Sequence, residues 1–536
     1  MTETFALRDY QTDAIDAIEK SWANGTTRPA VVLPTGAGKT VVFSHLAARA
    51  HERTGRTLVL AHREELLNQA AAKIRSVAPH LKTGIVKAER DEHDGSDIVV
   101  ASVQTLAVPR RRERIENVGL VIVDEAHHAA ADSYRTVLNH FGCFDGTPAA
   151  GFTATMARQD GGLADIWEDV VFRLDILTMI SRKFLVDVRG KSVVVEGLDL
   201  SQVKSRGGDY QEGQLGAVLA ESGAPKAVAD AYVRFASDRP GVVFTPTVET
   251  AQQMAEVLNE AGISTACVWG EMTSADRRSA LARYEKGDVQ VLANCMVLTE
   301  GFDAPWASCC VVARPTRSAP LYVQMVGRVL RTFPGKKDAL VLDVAGVTGR
   351  HKLASIVDLT EAKVKSVSEN ETLGEAAEEA GIVIKGNAIK VSGWADVDLF
   401  EESAVAWQHT RGGQWFVAVP DREYFLIRGE TQETYRVRSV DKAGAVTSPP
   451  DDRDLSLTFA MQQAEGYARR QARSIADRGA RWRGQAPTDR QLEACRKLRI
   501  AVPRGATKGV VNDLMSVAFA SKRIDPYAAR IGAASR

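Results

Sequence analysis

Short runs of apolar residues alternate with stretches of helical periodicity from the N-terminus to about Arg350. The first set of runs comprises Ala30–Leu33, Thr57–Ala61, Asp97–Ser102, Leu120–Val123 and Ala149–Phe152. The second set comprises Gly241–Thr245, Ser264–Trp269, Val289–Ala293, Cys309–Ala313 and Ala339–Val344. A run that is apolar at successive positions is typical of a strand covered on both faces, and the helical segments between the runs can supply that cover. The pattern predicts an α/β protein with two tandem parallel sheets, each flanked by helices.

The pattern changes beyond Arg350, where the chain becomes first acidic and then basic. Residues 361–410 contain 4 basic and 10 acidic residues, whereas residues 461–536 contain 16 basic and 6 acidic residues. Between these stretches, alternating aromatic and β-branched residues predict a β-meander. Its three strands are Trp415–Val419, Tyr424–Arg428 and Thr434–Val440.

These changes divide the chain into five parts. They are domain 1 (1–185), a connection around the turn-like Arg206-Gly207-Gly208-Asp209 (186–215), domain 2 (216–350), an accessory region with the acidic helix and the meander (351–485), and a small basic helical module (486–536).

Composition narrows the class of protein without identifying a partner. Lys and Arg together number 68, as do Asp and Glu, so the net charge gives no sign of a nucleic-acid ligand. The first residues carry charges and no apolar run, and no stretch approaches the roughly 20 apolar residues of a membrane helix. Six scattered cysteines, none in a CxxC pair, indicate free thiols in a reducing cytoplasm. We expect a soluble protein of a bacterial or phage-infected cell.

A phosphate-binding loop follows the first apolar run. Its residues are Pro34, Thr35, Gly36, Ala37, Gly38, Lys39 and Thr40, and the segment after them is predicted to be a helix. Glycines let backbone N–H groups curl around phosphate oxygens, and the start of a helix adds positive potential. Lys39 would reach the β- and γ-phosphates of ATP, and the hydroxyl of Thr40 would bind Mg²⁺.

Two carboxylates end the fourth apolar run. Asp124 and Glu125 follow Leu120–Val123 directly. A buried strand that ends in paired carboxylates can present Asp124 to Mg²⁺, partly through water, and leave Glu125 to orient or deprotonate an attacking water. Alone, this pair would more often be a solvated strand end, but the phosphate loop upstream favours the catalytic interpretation.

Further segments, in order, resemble the conserved motifs of superfamily 2 helicases of the DEAH type. Asp-Glu-Ala-His at 124–127 is similar to motif II of these proteins. The other resembling segments are Arg8-Asp9-Tyr10-Gln11, Ala61–Leu66, Ser102–Leu106, Phe152–Thr155, Val243–Thr247, Thr299–Pro305 and Gln324–Arg331. They cover roughly residues 1–350. The similarity is greatest to the group with RadD-like proteins and type III restriction helicase subunits (ResIII).

The resemblance implies two RecA-like domains with the ATP site between them, and it implies roles for individual residues. Gln11, Gly301 and Asp303 would contact the nucleotide, and Gln324, Arg328 and Arg331 would complete catalysis from the second domain. His127, Thr153 and Thr155 would couple the ATP site to a nucleic-acid strand held by Arg63, Thr105, Thr247 and Thr299. Arg328 and Arg331 are spaced by three, which predicts that they share one face of a helix starting near Ala319.

The C-terminal third carries weaker signals. The aromatic residues of the meander are more often core than base-stacking side chains. Thr488 and Gln491 have the spacing of a capping box, and Thr507 could cap a second helix. The resulting helical hairpin is basic, which favours an auxiliary nucleic-acid contact as much as a solvated face or a protein-docking module.

The sequence therefore predicts an ATP-driven DNA helicase or translocase of superfamily 2, active in repair, recombination or replication. An RNA helicase is the alternative within the class. Gln324 stands where DEAD-box RNA helicases usually have His, which favours DNA, in single strands or junctions. A scaffold whose nucleotide site acts as a switch is the alternative from another class, and Lys39, Glu125, Arg328 and Arg331 argue against it.

Overall fold

The structure is a computed structural model with two α/β lobes and a C-terminal α+β domain. It describes residues 7–62, 64–154, 165–206, 209–295, 297–298, 302–346, 355–360, 364, 367, 371–380, 382–385, 388–391, 405–429, 434–449, 452–476, 480–503 and 505–534. Two of the five predicted parts of the chain end elsewhere than expected, because residues 187–195 belong to the second sheet and residues 486–536 share a core with the meander.

The first lobe is an eight-stranded sheet with the order β4-β3-β5-β2-β6-β7-β1-β8. All neighbouring strands are parallel except β4, which runs antiparallel to β3. The strands are β1 (Pro29–Val32), β2 (Arg56–Ala61), β3 (Thr83–Lys87), β4 (Arg90–Asp91), β5 (Ile98–Ser102), β6 (Val118–Asp124), β7 (Ala149–Thr153) and β8 (Asp169–Arg173). The helices are α1 (Asp9–Ala23), α2 (Lys39–Thr54), α3 (Glu64–Val77), α4 (Val103–Ala107), α5 (Pro109–Arg112), α6 (Asp132–His140) and α7 (Ile176–Ser181).

The second lobe is a six-stranded parallel sheet with the order β13-β14-β12-β15-β16-β9. Its strands are β9 (Asp187–Val195), β12 (Gly241–Thr245), β13 (Thr265–Val268), β14 (Val291–Cys295), β15 (Cys309–Val312) and β16 (Asp338–Gly346), and a two-stranded hairpin, β10 (Ser205–Arg206) and β11 (Asp209–Tyr210), lies beside them. Its helices are α8 (Glu212–Glu221), α9 (Ala224–Ala236), α10 (Val248–Glu260), α11 (Ser274–Lys286) and α12 (Ala319–Val326). Every apolar run of the sequence pattern is a strand here, so the predicted pair of parallel sheets is confirmed.

The predicted connection at 186–215 is more regular than expected. Its first part is β9, which pairs in parallel with β16 over nine residues and so belongs to the second sheet. The sequence conceals this strand because β9 is an edge strand and carries Asp187, Arg189 and Lys191 among its apolar residues. Edge strands are half exposed and tolerate charges that a central strand does not. The second lobe therefore starts at about Asp187.

The C-terminal domain is an antiparallel sheet between two long helices. Its strands are β19 (Trp407–His409), β20 (Trp415–Val419), β21 (Arg422–Arg428), β22 (Thr434–Asp441), β23 (Val446–Thr447) and β24 (Leu455–Ser456), and its helices are α14 (Leu457–Ala476), α15 (Asp489–Lys497) and α16 (Lys508–Ala534). The segment before it contains α13 (Leu373–Glu379) and the hairpin β17 (Ile382–Lys385) and β18 (Ala388–Val391). The predicted meander is confirmed by β20, β21 and β22. Within the acidic stretch, α13 buries Leu373, Ala376 and Ala377 rather than standing in solvent.

Residues 486–536, predicted to be a separate module, share a core with the meander. Phe416 and Phe425 are fully buried against Ala520 and Ile524 of α16. α16 therefore covers one face of the sheet, while α14 covers the other. Phe416 and Phe425 are core, as expected, and the other aromatic side chains of the meander are partly buried against the second face, namely Trp415, Tyr424 and Tyr435. Thr488 and Gln491 form the predicted capping box at the start of α15. On α16, Val511 is fully buried and Val510 is exposed.

The C-terminal domain packs on the first lobe. One hydrophobic cluster contains Trp167 and Val123 of the first lobe together with Phe459 and Val417 of the C-terminal domain. At its rim, the Asp165 carboxylate pairs with Arg470 of α14 at 2.9 Å. The first lobe and the C-terminal domain therefore share one hydrophobic core. In the described part of the chain, no helix is long and apolar enough to cross a membrane, and all six cysteines are free thiols.

Truncating Ile524 on α16 should destabilise the C-terminal domain, because its side chain is fully buried against the sheet. We expect Ile524→Ala to lower the domain's free energy of unfolding by about 2–5 kcal/mol. Val510→Ala on the same helix is the matched control, since Val510 is 42% exposed, and should change it by less than about 0.5 kcal/mol. Hydrogen exchange of the β21 amides under increasing urea measures both. Equal protection of β21 in the two variants would mean that α16 is not part of this core.

Candidate functional site

The phosphate loop has the shape that the sequence predicts. It leaves β1 and turns into α2, whose first residue is Lys39. Gly36 and Gly38 have φ angles of 91° and 77°, which other residues rarely adopt. The Lys39 ammonium donates to the Leu33 carbonyl at 3.4 Å, within the cradle of the loop. The amides at the start of a sixteen-residue helix and the Lys39 charge together make an anion site for the phosphates of a nucleotide.

The start of α1 lies against this loop and adds a flat, cationic surface. The Tyr10 hydroxyl and the Gln11 amide donate to the carbonyl of Ala37 at 2.7 and 3.2 Å. The Tyr10 ring lies 4.9 Å from the ring of Phe184, and the Arg8 guanidinium stands 5.0 Å from the centre of the Phe184 ring. The structure therefore brings Gln11 to the loop as expected. It adds Phe184, which the sequence could not place at the loop because Arg8 and Tyr10, its partners there, are more than 170 positions away.

The two carboxylates stand at the end of β6 beside the loop. Asp124 and Glu125 are only 5% and 6% exposed, and the Asp124 carboxylate accepts from the Glu125 amide at 3.0 Å. Glu125 has a φ of 49°, and such backbone strain, of about 1–3 kcal/mol, is concentrated at functional sites. The His127 ring nitrogen Nδ1 lies 3.2 Å from the Glu125 carboxylate and 3.0 Å from the hydroxyl of Thr153. His127 and Thr153, two of the residues expected to couple the ATP site to a strand, are therefore in contact.

Glu125 remains ionised despite its burial. Burial alone would raise its pKa, but the charge of Lys39, the hydrogen bond and charge of His127, and the charge of Arg328 together lower the pKa of Glu125 well below its ordinary value. A carboxylate with a lowered pKa is a weak base that accepts hydrogen bonds well. The site can therefore hold and orient a water molecule at any pH near neutrality.

The second lobe contributes its arginines from a turn and not from a helix. The predicted helix ends at Val326, Arg328 lies in the 3-10 turn Gly327–Val329, and Arg331 pairs in extended form with Leu185. The expectation of one helix face is therefore wrong. The reason is the approach of Gly327 to the phosphate loop, where a Cβ atom on Gly327 would lie 2.4 Å from Cβ of Thr35.

The two guanidinium groups nevertheless converge. Arg328 and Arg331 donate to the carbonyl of Phe302 at 3.1 and 3.5 Å, and Arg331 also pairs with Asp303. Arg328 is 8% exposed and its charge contributes to lowering the pKa of Glu125, so the cleft side of the second lobe faces Glu125 of the first lobe. Gln324, on α12, is equally buried at 8% exposure.

Lys336 is a residue of this region that the sequence analysis missed. Its ammonium donates to the carbonyls of Pro305 and Ala307 at 2.9 and 2.5 Å, and so joins the turn after Arg331 to the segment after Asp303. Burial, with the charges of Arg331 and Arg239, lowers the pKa of Lys336 to about 7. The sequence alone does not distinguish Lys336 from Lys337, the exposed residue beside it, because both are lysines.

The predicted nucleic-acid contacts are only partly within the described residues. The Thr105 hydroxyl accepts from the Ala88 amide at 3.1 Å, and the Thr247 hydroxyl caps α10 by accepting from the Thr250 amide at 3.2 Å. The hydroxyl groups of both threonines therefore accept hydrogen bonds from backbone amides of their own lobe. Arg63, Thr155, Thr299 and Gly301 lie outside the described residues.

The oxygen ligands expected of a magnesium site lie on neighbouring elements. Thr40 is the second residue of α2, and Asp124 ends β6, against which α2 packs. A hydroxyl and a buried carboxylate are hard oxygen donors that suit Mg²⁺ with several waters retained. The donor set fits the ion.

Three family models match successive parts of the chain. Residues 4–158 match the res subunit of type III restriction enzymes, and residues 224–333 match the helicase conserved C-terminal domain. Residues 392–531 match the C-terminal domain of the mitochondrial helicase Irc3. The last match spans the meander and the basic tail together, in keeping with their shared core.

Individual helicases are also similar in sequence to this chain. The chain is 35% identical over 357 residues to a predicted ATP-dependent helicase, IRC3, of Saccharomyces cerevisiae, which covers 64% of the chain and 52% of the relative. It is 28% identical to a predicted mitochondrial ATP-dependent helicase, irc3, of Schizosaccharomyces pombe, over 95% of the chain and 90% of the relative. The chain thus spans about half the length of the first relative and most of the second.

A solved structure shares the fold of the two lobes. A fragment of a predicted HsdR subunit of a type I restriction enzyme from Vibrio vulnificus superposes with a TM-score of 0.52 at 22% identity, over 64% of the chain and 65% of the fragment. At this identity the likeness concerns the fold alone.

Lys39→Ala, Glu125→Gln and Arg328→Ala should each stop ATP turnover. Loss of Glu125 as base costs about 10²–10⁴-fold in rate, and loss of an arginine that faces the transferred phosphoryl group costs on the order of 10³-fold or more. Steady-state ATPase assays at saturating ATP measure kcat for each. Lys20→Ala and Arg283→Ala, at exposed positions, are matched controls and should retain kcat. A kcat for Arg328→Ala within about threefold of the wild type would contradict its role.

Proposed function

Because the chain is a superfamily 2 helicase related to the ResIII group, we propose that it couples ATP hydrolysis to movement along DNA or to its unwinding. The process it serves would be repair, recombination or replication. We assign the chain to the DEAH type from Asp-Glu-Ala-His at 124–127, and its polymer to DNA from Gln324.

One observation carries the proposal: the catalytic carboxylate receives positive charge from both lobes. Lys39 acts on Glu125 from the first lobe and Arg328 from the second. A site assembled from two lobes is complete only while the lobes are together. ATP that is held between them can therefore drive their closure, and loss of the γ-phosphate can release it.

The residues perform separate parts of the reaction. Lys39 and the loop amides bind the phosphates. Glu125 orients the attacking water by accepting its hydrogen bond and, as a weak base, takes its proton only once the bond to phosphorus forms and makes the water strongly acidic. Arg328 and Arg331 face the charge that develops as the γ-phosphate departs. Arg331 also forms an ion pair with Asp303, so its guanidinium would interact with the Asp303 carboxylate and with the γ-phosphate at the same time. Mg²⁺, held by Thr40 and Asp124, supplies charge neutralisation between the phosphates when bound.

The nucleotide base has a candidate site at the start of α1. Gln11 and Tyr10 are fixed to the loop through Ala37, and the Phe184 ring and Arg8 stand beside them. We assign base recognition to Gln11, with Arg8 and Phe184 as the stacking surface. Phe184 also leads directly to Leu185, which bridges to Arg331. The base site and the second-lobe arginines thus share one short segment.

DNA is favoured over RNA by Gln324, which stands where DEAD-box RNA helicases usually have His. The strand would cross both lobes and be held mostly by its phosphates, which makes binding tolerant of sequence and sensitive to salt. The nucleotide-switched scaffold is disfavoured because Lys39, Glu125 and Arg328 converge in one buried cleft.

The six free thiols suit a reducing compartment, for which we propose the cytoplasm of a bacterial or phage-infected cell, although the fission yeast relative is described as mitochondrial.

Single-stranded DNA should stimulate ATP hydrolysis strongly, because a strand bound across both lobes favours the closed cleft. The measurement compares ATPase rates with poly(dT), with poly(U) and without polymer, in the wild type and in Glu125→Gln as the background control. Stimulation by poly(U) alone would refute the DNA assignment. Equal, slow turnover under all three conditions would instead support the scaffold.

The basic surface of α15 is a candidate second contact for DNA. Arg490 and Arg496 are exposed on this short helix, and Arg499 is exposed just beyond it. Because α16 belongs to the core of the domain, deleting the tail would expose Phe416 and Phe425 and could not test binding alone. Charge reversal on α15 leaves that core intact.

We expect Arg490→Glu with Arg496→Glu to weaken binding of single-stranded DNA and to reduce its dependence on salt. Each phosphate contact contributes roughly 0.7 to the slope of log K against log salt for a single strand. Fluorescence anisotropy between low and moderate salt measures the slope. Lys286→Glu, at an exposed position of the second lobe, reports the effect of charge reversal elsewhere. An unchanged slope for the α15 variant would show that the tail is only a solvated face.

A further inference from the structure

Three histidine rings form a continuous row at the carboxyl edge of the first sheet. The ring centres of His62 and His128 lie 4.7 Å apart, and those of His128 and His127 lie 4.0 Å apart. The first pair meets edge to face at 69°, and the second is tilted at 42°. These separations are within the range of packed aromatic rings.

The sheet explains why the row exists. β2 and β6 are parallel neighbours, with Leu60 opposite Val123, so both strands end at the same edge. His62 follows the end of β2, and His128 closes the 3-10 turn that follows β6. Two segments that are distant in sequence thus place their imidazoles in contact.

One end of the row is the catalytic carboxylate. His127 contacts Glu125 at 3.2 Å and the buried Thr153 at 3.0 Å. A shift of the His128 ring therefore changes the support of His127, which holds Glu125. Neither His128 nor His62 has a part in the hydrolysis chemistry described above.

The other end of the row is the side of the lobe where a strand is proposed to bind. His62 immediately precedes Arg63, a predicted phosphate contact. β5 lies beside β2, with Ser102 opposite Ala61, and Thr105 follows on α4. His62 therefore precedes one predicted contact in the sequence and lies at the end of the strand beside the one that leads to the other, Thr105.

We propose that His62 and His128 are positioning residues that transmit nucleic-acid binding to Glu125 through His127. This inference rests on the proposed function, since it requires a strand at the His62 loop. A metal site is the other chemistry that three histidines suggest. Among the residues that the structure describes, no group of three or more His, Cys, Asp or Glu side chains could hold a metal ion. The three histidines therefore interact through contacts between their rings, and each ring can influence the next by packing against it.

The test uses the full-length chain and two coupling ratios. The first is the ATPase rate with saturating poly(dT) divided by the rate without polymer. The second is the Kd for poly(dT) without a non-hydrolysable ATP analogue divided by the Kd with it. The second ratio measures coupling in binding, to which thermodynamic reciprocity applies, whereas the first is a ratio of rates, to which it does not. We expect a residue that transmits the effect of the strand to the ATP site to alter both. If the wild type responds to RNA instead, poly(U) replaces poly(dT).

In His128→Ala both ratios should move at least about fivefold toward one, the lower end of typical coupling between sites. His128→Phe keeps a packed ring and should retain most of the coupling. His140→Ala is the matched control, because His140 is exposed on the same lobe, and should leave both ratios unchanged. If His128→Ala does not fold, His62→Ala at the other end of the row gives the same test.

The outcomes separate this inference from the proposed function. No polymer stimulation in the wild type would refute the motor, and the histidine row with it. Strong stimulation in the wild type that persists within twofold in His128→Ala would overturn the histidine route alone. Equal loss in His128→Ala and His128→Phe would overturn transmission by ring packing.

Discussion

The charge of one buried carboxylate is the constraint on which this molecule depends. Glu125 is 6% exposed, and an ionised carboxylate in such a place is costly unless neighbouring charges compensate. The compensation comes from Lys39, His127 and Arg328, which belong to three separate segments and to both lobes. Because the compensation is divided, separation of the lobes removes part of it and changes the properties of the base. The electrostatic stabilisation of the Glu125 carboxylate therefore depends on whether the two lobes are together.

Close backbone approach is what allows the lobes to meet at this point. A Cβ atom on Gly36 would lie 3.1 Å from Leu185 and 3.3 Å from Arg331, and one on Gly327 would overlap Thr35. The interface at the phosphate loop is therefore made by positions without side chains, and the Val186 amide donates to the Leu330 carbonyl at 2.9 Å across it. A larger residue at Gly327 would hold the arginines away from the cleft even if every arginine remained.

The sequence predicts those features that are local or buried on both sides. Continuous apolar runs identify the central strands, and Lys39, Asp124 and Glu125 follow such runs at fixed spacing. It fails where the determining contacts are remote. The edge strand Asp187–Val195 carries polar residues because one side faces solvent, and Lys336 acquires its role from carbonyls thirty positions earlier. The helix predicted for Arg328 and Arg331 ends early because another lobe's loop lies against Gly327, which no periodicity can reveal.

The position of the C-terminal domain adds a further consequence. Its hydrophobic cluster is continuous with that of the first lobe, and Asp165 accepts ion pairs from both Arg135 and Arg470. A domain anchored in this way moves with the first lobe when the cleft opens or closes. If α15 holds a strand, its grip is then stationary relative to the histidine row and to Glu125, and only the second lobe is displaced. The proposed motor needs one grip that stays while another moves, and this arrangement would assign the first to the body that contains Glu125.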